Sequence, residues 1–369
     1  MKRQVEIGVL YSRSGTYPVV SEASRAGVLA AIADVNADPQ MPIAFVPVEY
    51  DPAGNVDNYA TGCADILANS KARHIIGCVT SWSRKEVIPV LEKTGGTLWY
   101  ASPYEGFEAN EHVVYMHACP NQHLVPLLGY VVPKFGANGY LVGSNYIWGW
   151  ETNRVARDLI ADARGDVLGE RYLRLGETDV SHMIAEIEAT RPSFILNNLI
   201  GPSSYAFIKA YAELASRDER FGPEQCPILS CNLTEAELPV IGAFAQGHLS
   251  AGPYFRRADA EGTSGMIGSS LAASNYAAVQ VLARVLAINP EATFAELPAI
   301  FAREQFDTPF GRIAIDPRTQ HATVPVEIGR VSGEGFEVVQ RTEAVAPDPY
   351  LSRYDRTETF GRPRLKVVS

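Results

Sequence analysis

The stretch WYASPYEGFE, residues 99–108, crowds polar hooks onto the end of an apolar run. Tyr100, Ser102, Tyr104 and Glu105 bring phenols, a hydroxyl and a carboxylate to one turn. Similar sets recur along the chain: Thr80-Ser81-Trp82-Ser83, Ser144-Asn145-Tyr146-Ile147-Trp148, Gly201-Pro202-Ser203-Ser204 and Asn232-Leu233-Thr234-Glu235. Such groups suit recognition of a small polar molecule. Rigid rings exclude water, while hydroxyls and backbone N–H groups meet the ligand's donors and acceptors. A buried amide left without partners costs about 1–3 kcal/mol per group, so the box must present several. Taken singly, each aromatic serves equally well in core or inter-lobe packing with its polar tip at the surface.

Catalysis finds less support. No GxGxxG follows a strand, and GxxxxGK[ST], GxSxG and HExxH are all absent. His112, His117 and His123 are close in sequence but lack ligand spacing, so they read as surface or core histidines. Cys226 and Cys231 flank a strand and read as packing. Glu105 and Glu108 form a carboxylate pair that reads as turn or loop hydrogen-bond partners rather than a general acid. No catalytic residue, metal or cofactor is expected.

These groups need a scaffold. Apolar alternation predicts strands over 4–11, 43–50, 74–79 and 96–100, with helices over 21–36, 57–67 and 82–93 between them. A second series begins near Pro120 and alternates in the same way as far as a helix from Glu235. The Ala-rich helix predicted over Met266 to Leu286 suits a return to the first lobe, and short strands close the chain. This rhythm predicts an α/β fold of two Rossmann-like lobes with parallel-type sheets. In such sheets ligands sit beyond strand C-terminal ends, beside helix N-termini. All the polar clusters above fall at such ends, and a cleft between two lobes would bring them together.

Composition narrows the class. The chain has 369 residues, 46% hydrophobic and 20% charged, which suits two domains with ample core. A net charge of −10 argues against direct nucleic-acid binding, and the basic run Arg362-Pro363-Arg364-Leu365-Lys366 reads as a solvated tail. Gln4 and Glu6 interrupt the first apolar run too early for a signal peptide, no apolar run approaches a membrane span, and no membrane insertion is expected. Five cysteines without a CxxC read as reduced, buried thiols. The expected location is cytoplasmic, with the periplasm as the alternative if a leader precedes Met1.

Four segments carry a resemblance: IGCVTSWSRKEVIPVLE (76–92), YASPYEGFE (100–108), VGSNYIWGWETN (142–153) and LTEAE (233–237). The chain resembles the amide-sensing negative regulators of aliphatic amidase operons. These are cytosolic relatives of the leucine/isoleucine/valine-binding proteins, of the type I periplasmic-binding-protein-like fold. The resemblance implies three hinge crossings and a ligand between the lobes. It places 1–119 plus 253–322 in an N-terminal lobe, 120–252 plus 323–345 in a C-terminal lobe and 346–369 in a tail. It implies ligand contacts from Ser81, Tyr100, Ser102 and Tyr146, and more loosely from Asn232 and Thr234. Tyr104 and Trp148 complete the expected set. Val79-Thr80, Trp82 and Trp148-Gly149-Trp150 depart from the relatives and rework the pocket wall.

Hydroxyls, aromatics and an amide at the matched positions favour a small, neutral, amide-like ligand such as acetamide, another short amide or urea. They do not offer the carboxylate and the cation that a free amino acid would require. The resemblance also implies a protein partner, an RNA-binding antiterminator released when amide binds, and leaves a homo-oligomer open. The alternatives are a transport solute-binding protein for urea, short amides or branched-chain amino acids, and an amide hydrolase.

Overall fold

The computed structural model describes residues 2–256 and 267–361. Its first layer is built from β1 (Arg3–Leu10), α1 (Pro18–Ala37), β2 (Ile43–Tyr50), α2 (Asp57–Asn69), β3 (His74–Gly77), α3 (Ser81–Thr94), β4 (Thr97–Tyr100) and β5 (Val113–Tyr115). The strands form one all-parallel sheet in the order β2-β1-β3-β4-β5. Strands β3 and β4 are buried along their whole length, as central parallel strands covered on both faces must be, and the edge strand β5 is buried too, with Tyr115 bridged to His321 on its outer side.

The chain then passes to α4 (Leu124–Phe135), β6 (Gly139–Ser144), α5 (Ile147–Asp162), β7 (Val167–Leu173), α6 (Ser181–Thr190), β8 (Phe194–Asn198), α7 (Pro202–Arg217), β9 (Ile228–Ser230), α8 (Leu238–Ile241) and β10 (Leu249–Gly252). Next come α9 (Ser270–Ile288), α10 (Leu297–Phe301), the hairpin β11 (Phe306–Thr308) and β12 (Gly311–Ile313), then β13 (Val324–Ser332), β14 (Gly335–Val345) and α11 (Arg356–Phe360). The second sheet runs β14-β13-β10-β9-β8-β6-β7. Here the parallel expectation holds only in part. β13 pairs antiparallel with both β10 and β14; a tight turn at Gly333 (φ 61°) returns the chain directly from β13 into β14, where a parallel partner would need a crossover helix.

α9 lies against α1 and belongs to the core of the first sheet. Its expected start at Met266 lies outside the described residues. Within them the helix opens at Ser269, whose hydroxyl accepts from the Ala272 N–H. α9 also corrects the reading that no run approaches a membrane span. It has 19 residues with a mean hydropathy of 1.4, and 78% of it is buried inside the protein. A core helix covered on nearly every face needs the same apolar composition. The segment expected as a tail is built onto the fold as far as Gly361: Asp348 is buried and accepts from the backbone N–H groups of Ser352 and Arg353. The basic run from Arg362 lies outside the described residues.

Candidate functional site

β3 ends at Gly77, and Cys78 follows with φ at +65°, a left-handed conformation uncommon outside glycine. That turn delivers Thr80 as the cap of α3, its Oγ1 accepting from the Ser83 N–H at 3.1 Å. Ser83 therefore sits inside the first turn of α3, and Thr80 is its cap. Ser81 opens the helix and faces a small cavity between the two sheets. From the first sheet's side the cavity is lined by Val20, Val79, Thr80, Ser81, Ser102, Pro103 and Leu271. From the second sheet's side come Tyr146, Trp148, Ile200, Gly201, Asn232 and Glu237. Its free volume is about 40 Å³.

Five of the eight residues expected from the sequence line this cavity: Ser81, Ser102, Tyr146, Trp148 and Asn232. Asn232 is largely committed to neighbouring backbone and side chains, with Nδ2 donating to the Leu199 carbonyl in the loop after β8 at 3.3 Å and Oδ1 accepting from Ser230 Oγ at 3.0 Å. Three residues are corrected. Tyr100 is buried behind the cavity and donates to the Val79 carbonyl at 3.1 Å. The Tyr104 hydroxyl bonds His321 Nε2, and its ring stacks on Tyr115 at 5.1 Å. Both rings also flank the Arg84 guanidinium, at 4.7 and 4.9 Å from their centroids. Thr234 is not among the residues lining the cavity, and its Oγ1 is buried without a partner among the described residues.

Arg84 explains the polar crowd of WYASPYEGFE. It is fully buried, and its Nη2 pairs with Glu105 Oε1 at 2.9 Å and its Nε with Glu108 Oε1 at 2.8 Å. Lys85 reaches Glu108 Oε2 at 2.7 Å. Burial pushes the Glu108 carboxyl up, but Arg84 and Lys85 override it and hold the group down at about 2. Ser81 Oγ donates to Glu105 Oε2 and accepts from Arg84 Nη1 at 3.3 Å. The ion pairs thus reach the cavity wall through one serine.

Glu237 is the residue the sequence reading missed. It lies three residues beyond Thr234, just before α8, is buried, and lines the cavity. Burial pushes its carboxyl up to about 7, against the pull of the Thr234 N–H and Tyr205. Val20 and Leu271 carried no signal, since an apolar side chain in a helix looks the same whether it meets a cavity or a core. No lysine or arginine lines the cavity. Trp148 brings an indole N–H that is buried and has no partner among the described residues.

A family model of the periplasmic binding protein domain matches residues 5–356. The chain belongs to the periplasmic binding protein family. The fold of this binding protein recurs in the solute-binding protein of an ABC transporter from Rhodopseudomonas palustris HaA2, solved with p-hydroxybenzoic acid. The TM-score is 0.83 at 18% identity, covering 95% of this chain and 100% of that one. A periplasmic binding protein from Burkholderia mallei matches with a TM-score of 0.81 at 15% identity, over 92% and 95% of the two chains. The branched-chain amino acid transporter substrate-binding protein LivJ from Streptococcus pneumoniae, solved with isoleucine, gives 0.76 at 14%, over 92% and 100%. At these identities the likeness is one of fold. This binding protein shares the two-sheet frame with these chains, and its pocket has to be argued from its own residues.

Proposed function

We propose that this chain is the solute-binding receptor of a transport system for a very small, neutral, amide-like molecule of the acetamide or urea kind. The lining carries the reading: it lacks a cationic side chain for a carboxylate, its one carboxyl is held toward the neutral form, and Trp148 brings an indole N–H without a partner among the described residues. The receptor binds without turnover, consistent with the absence of a nucleophile–base signature in the sequence.

A second reading keeps the same ligand and changes the partner. The string Pro103 to Glu108 favours an amide-sensing regulator that releases an RNA-binding antiterminator, working in the cytoplasm rather than the periplasm. A thermal-shift screen of acetamide, urea, short amides and aliphatic amino acids tests the ligand class. At one hundred times Kd a true ligand adds about 2.7 kcal/mol of stability. Stabilisation by isoleucine or leucine alone overturns it. Steady ammonia release from acetamide would reveal an enzyme. In cells lacking the chain, lost uptake of labelled amide supports transport, and intact uptake with unregulated amidase supports the sensor.

A further inference from the structure

We infer that Glu105 is a positioning residue that fixes the hydrogen-bond polarity of Ser81, so that the cavity demands a donor N–H from its ligand at that point and discriminates against carboxylates. The inference rests on the amide reading above and deepens it. A serine hydroxyl has one proton and two lone pairs. In Ser81 the proton goes to Glu105 Oε2, and Arg84 Nη1 takes one lone pair at 3.3 Å. Glu105 cannot reverse this bond, because its other oxygen is held by Arg84 Nη2 at 2.9 Å and a carboxylate only accepts. What remains for the cavity is a single lone pair.

Ser102 Oγ lies 3.5 Å from the Cys78 carbonyl, too far to hold its proton, so this hydroxyl can turn to either end of the ligand. Across the cavity Trp148 offers an N–H without a partner among the described residues. An NH₂ group on one end of the ligand and a carbonyl on the other match this arrangement. A carboxylate oxygen placed at Ser81 would set acceptor against acceptor, with no cationic side chain in the lining to compensate.

The test compares acetamide with acetate, which differ at one heavy atom, by calorimetry on the full chain. The wild type is expected to prefer acetamide at least about tenfold. In Glu105→Gln the amide oxygen can keep the Arg84 contact while Nε2 donates to Ser81 Oγ, turning the serine proton toward the cavity. The acetamide-to-acetate ratio should then fall by about tenfold or more. Ser81→Ala leaves the Arg84 pairs intact and should narrow the ratio through loss of acetamide binding, which keeps the inference testable if Glu105→Gln does not fold. Equal losses for both probes in both variants would make the role merely structural and overturn the inference, while leaving the amide reading standing. A wild type that binds neither acetamide nor urea overturns both.

Discussion

The indole of Trp82, on α3 of the first layer, lies 6.5 Å centroid to centroid from the phenol of Tyr146, with the ring planes 23° apart. Tyr146 is buried and lines the cavity, while Trp82 is 42% exposed and covers its flank. The pair joins the two sheets directly over the site. An offset aromatic pair is worth about 0.5–1.5 kcal/mol. Trp82→Ala should weaken ligand binding about two- to tenfold and leave the melting temperature of the unliganded chain nearly unchanged. Calorimetry and thermal melts on the same sample check both halves of the expectation.

Ser102→Ala and Tyr146→Phe each remove one hydroxyl from the cavity lining. Affinity for acetamide should fall by roughly 1–2 kcal/mol in each case, or five- to thirtyfold. Ser83→Ala is the control. Its hydroxyl donates to the Thr80 carbonyl at 2.8 Å inside the first turn of α3, so the variant should lose stability rather than affinity. The opposite pattern in a titration of the three variants would move the pocket elsewhere.

Gly201 lines the cavity with φ at +57°, and a Cβ there would stand 2.4 Å from the Thr16 carbonyl of the other layer. Gly201→Ala must therefore push the two halves apart at the site. Overpacking of this kind costs about 1–3 kcal/mol, and it should be felt mainly as a loss of affinity. Small-angle scattering with and without acetamide should show a wider molecule that fails to contract.

Arg84→Met strands the buried Glu105 carboxylate and leaves Lys85 as the one cation on the partly buried Glu108. Breaking a buried pair from one side costs about 3–5 kcal/mol. Urea denaturation should show that loss at neutral pH. Lowering the pH should narrow the gap to the wild type, because the Glu108 carboxyl that Arg84 holds down takes up its proton more readily without it.

The pH dependence has two opposing parts. Burial lowers His74, His123, His248 and His321 to about 4 and His117 to about 3. The unfolded chain protonates these groups first, so the stability they contribute is full above their ordinary 6.5 and is lost as pH falls toward 4. Glu237 runs the other way. Its folded value near 7 lies above the ordinary 4.5, so its carboxyl lowers stability progressively as pH rises from 4.5 to 7. Melting temperature should drop on acidification below about pH 6, where the histidines outnumber Glu237 and Glu235. Glu237→Gln should gain on the wild type steadily from pH 4.5 to 7 and no further.

The sequence by itself determined the alternation of strands and helices, and with it the two-layer fold. Hydrophobic period is a local property, and buried parallel strands such as β6 and β8 announce themselves as short apolar runs. Of the residues it singled out, Ser81, Ser102, Tyr146, Trp148 and Asn232 line the candidate cavity, because polar groups gather where strands end beside helix N-termini. What it could not decide was direction. Tyr100 and Ser102 are two residues apart at the end of one strand, yet the phenol is spent on Arg84 and Val79 while the serine meets the cavity. Tyr104 was lost to His321, 217 positions away in the chain, and Glu237 was gained because α8 turns it inward. Those choices depend on partners far apart in sequence, with burial adding the cost of any polar group left unpaired. Only the docking of the loop after β4 against α3 brought Glu105 to both Ser81 and Arg84 and gave that hydroxyl its polarity.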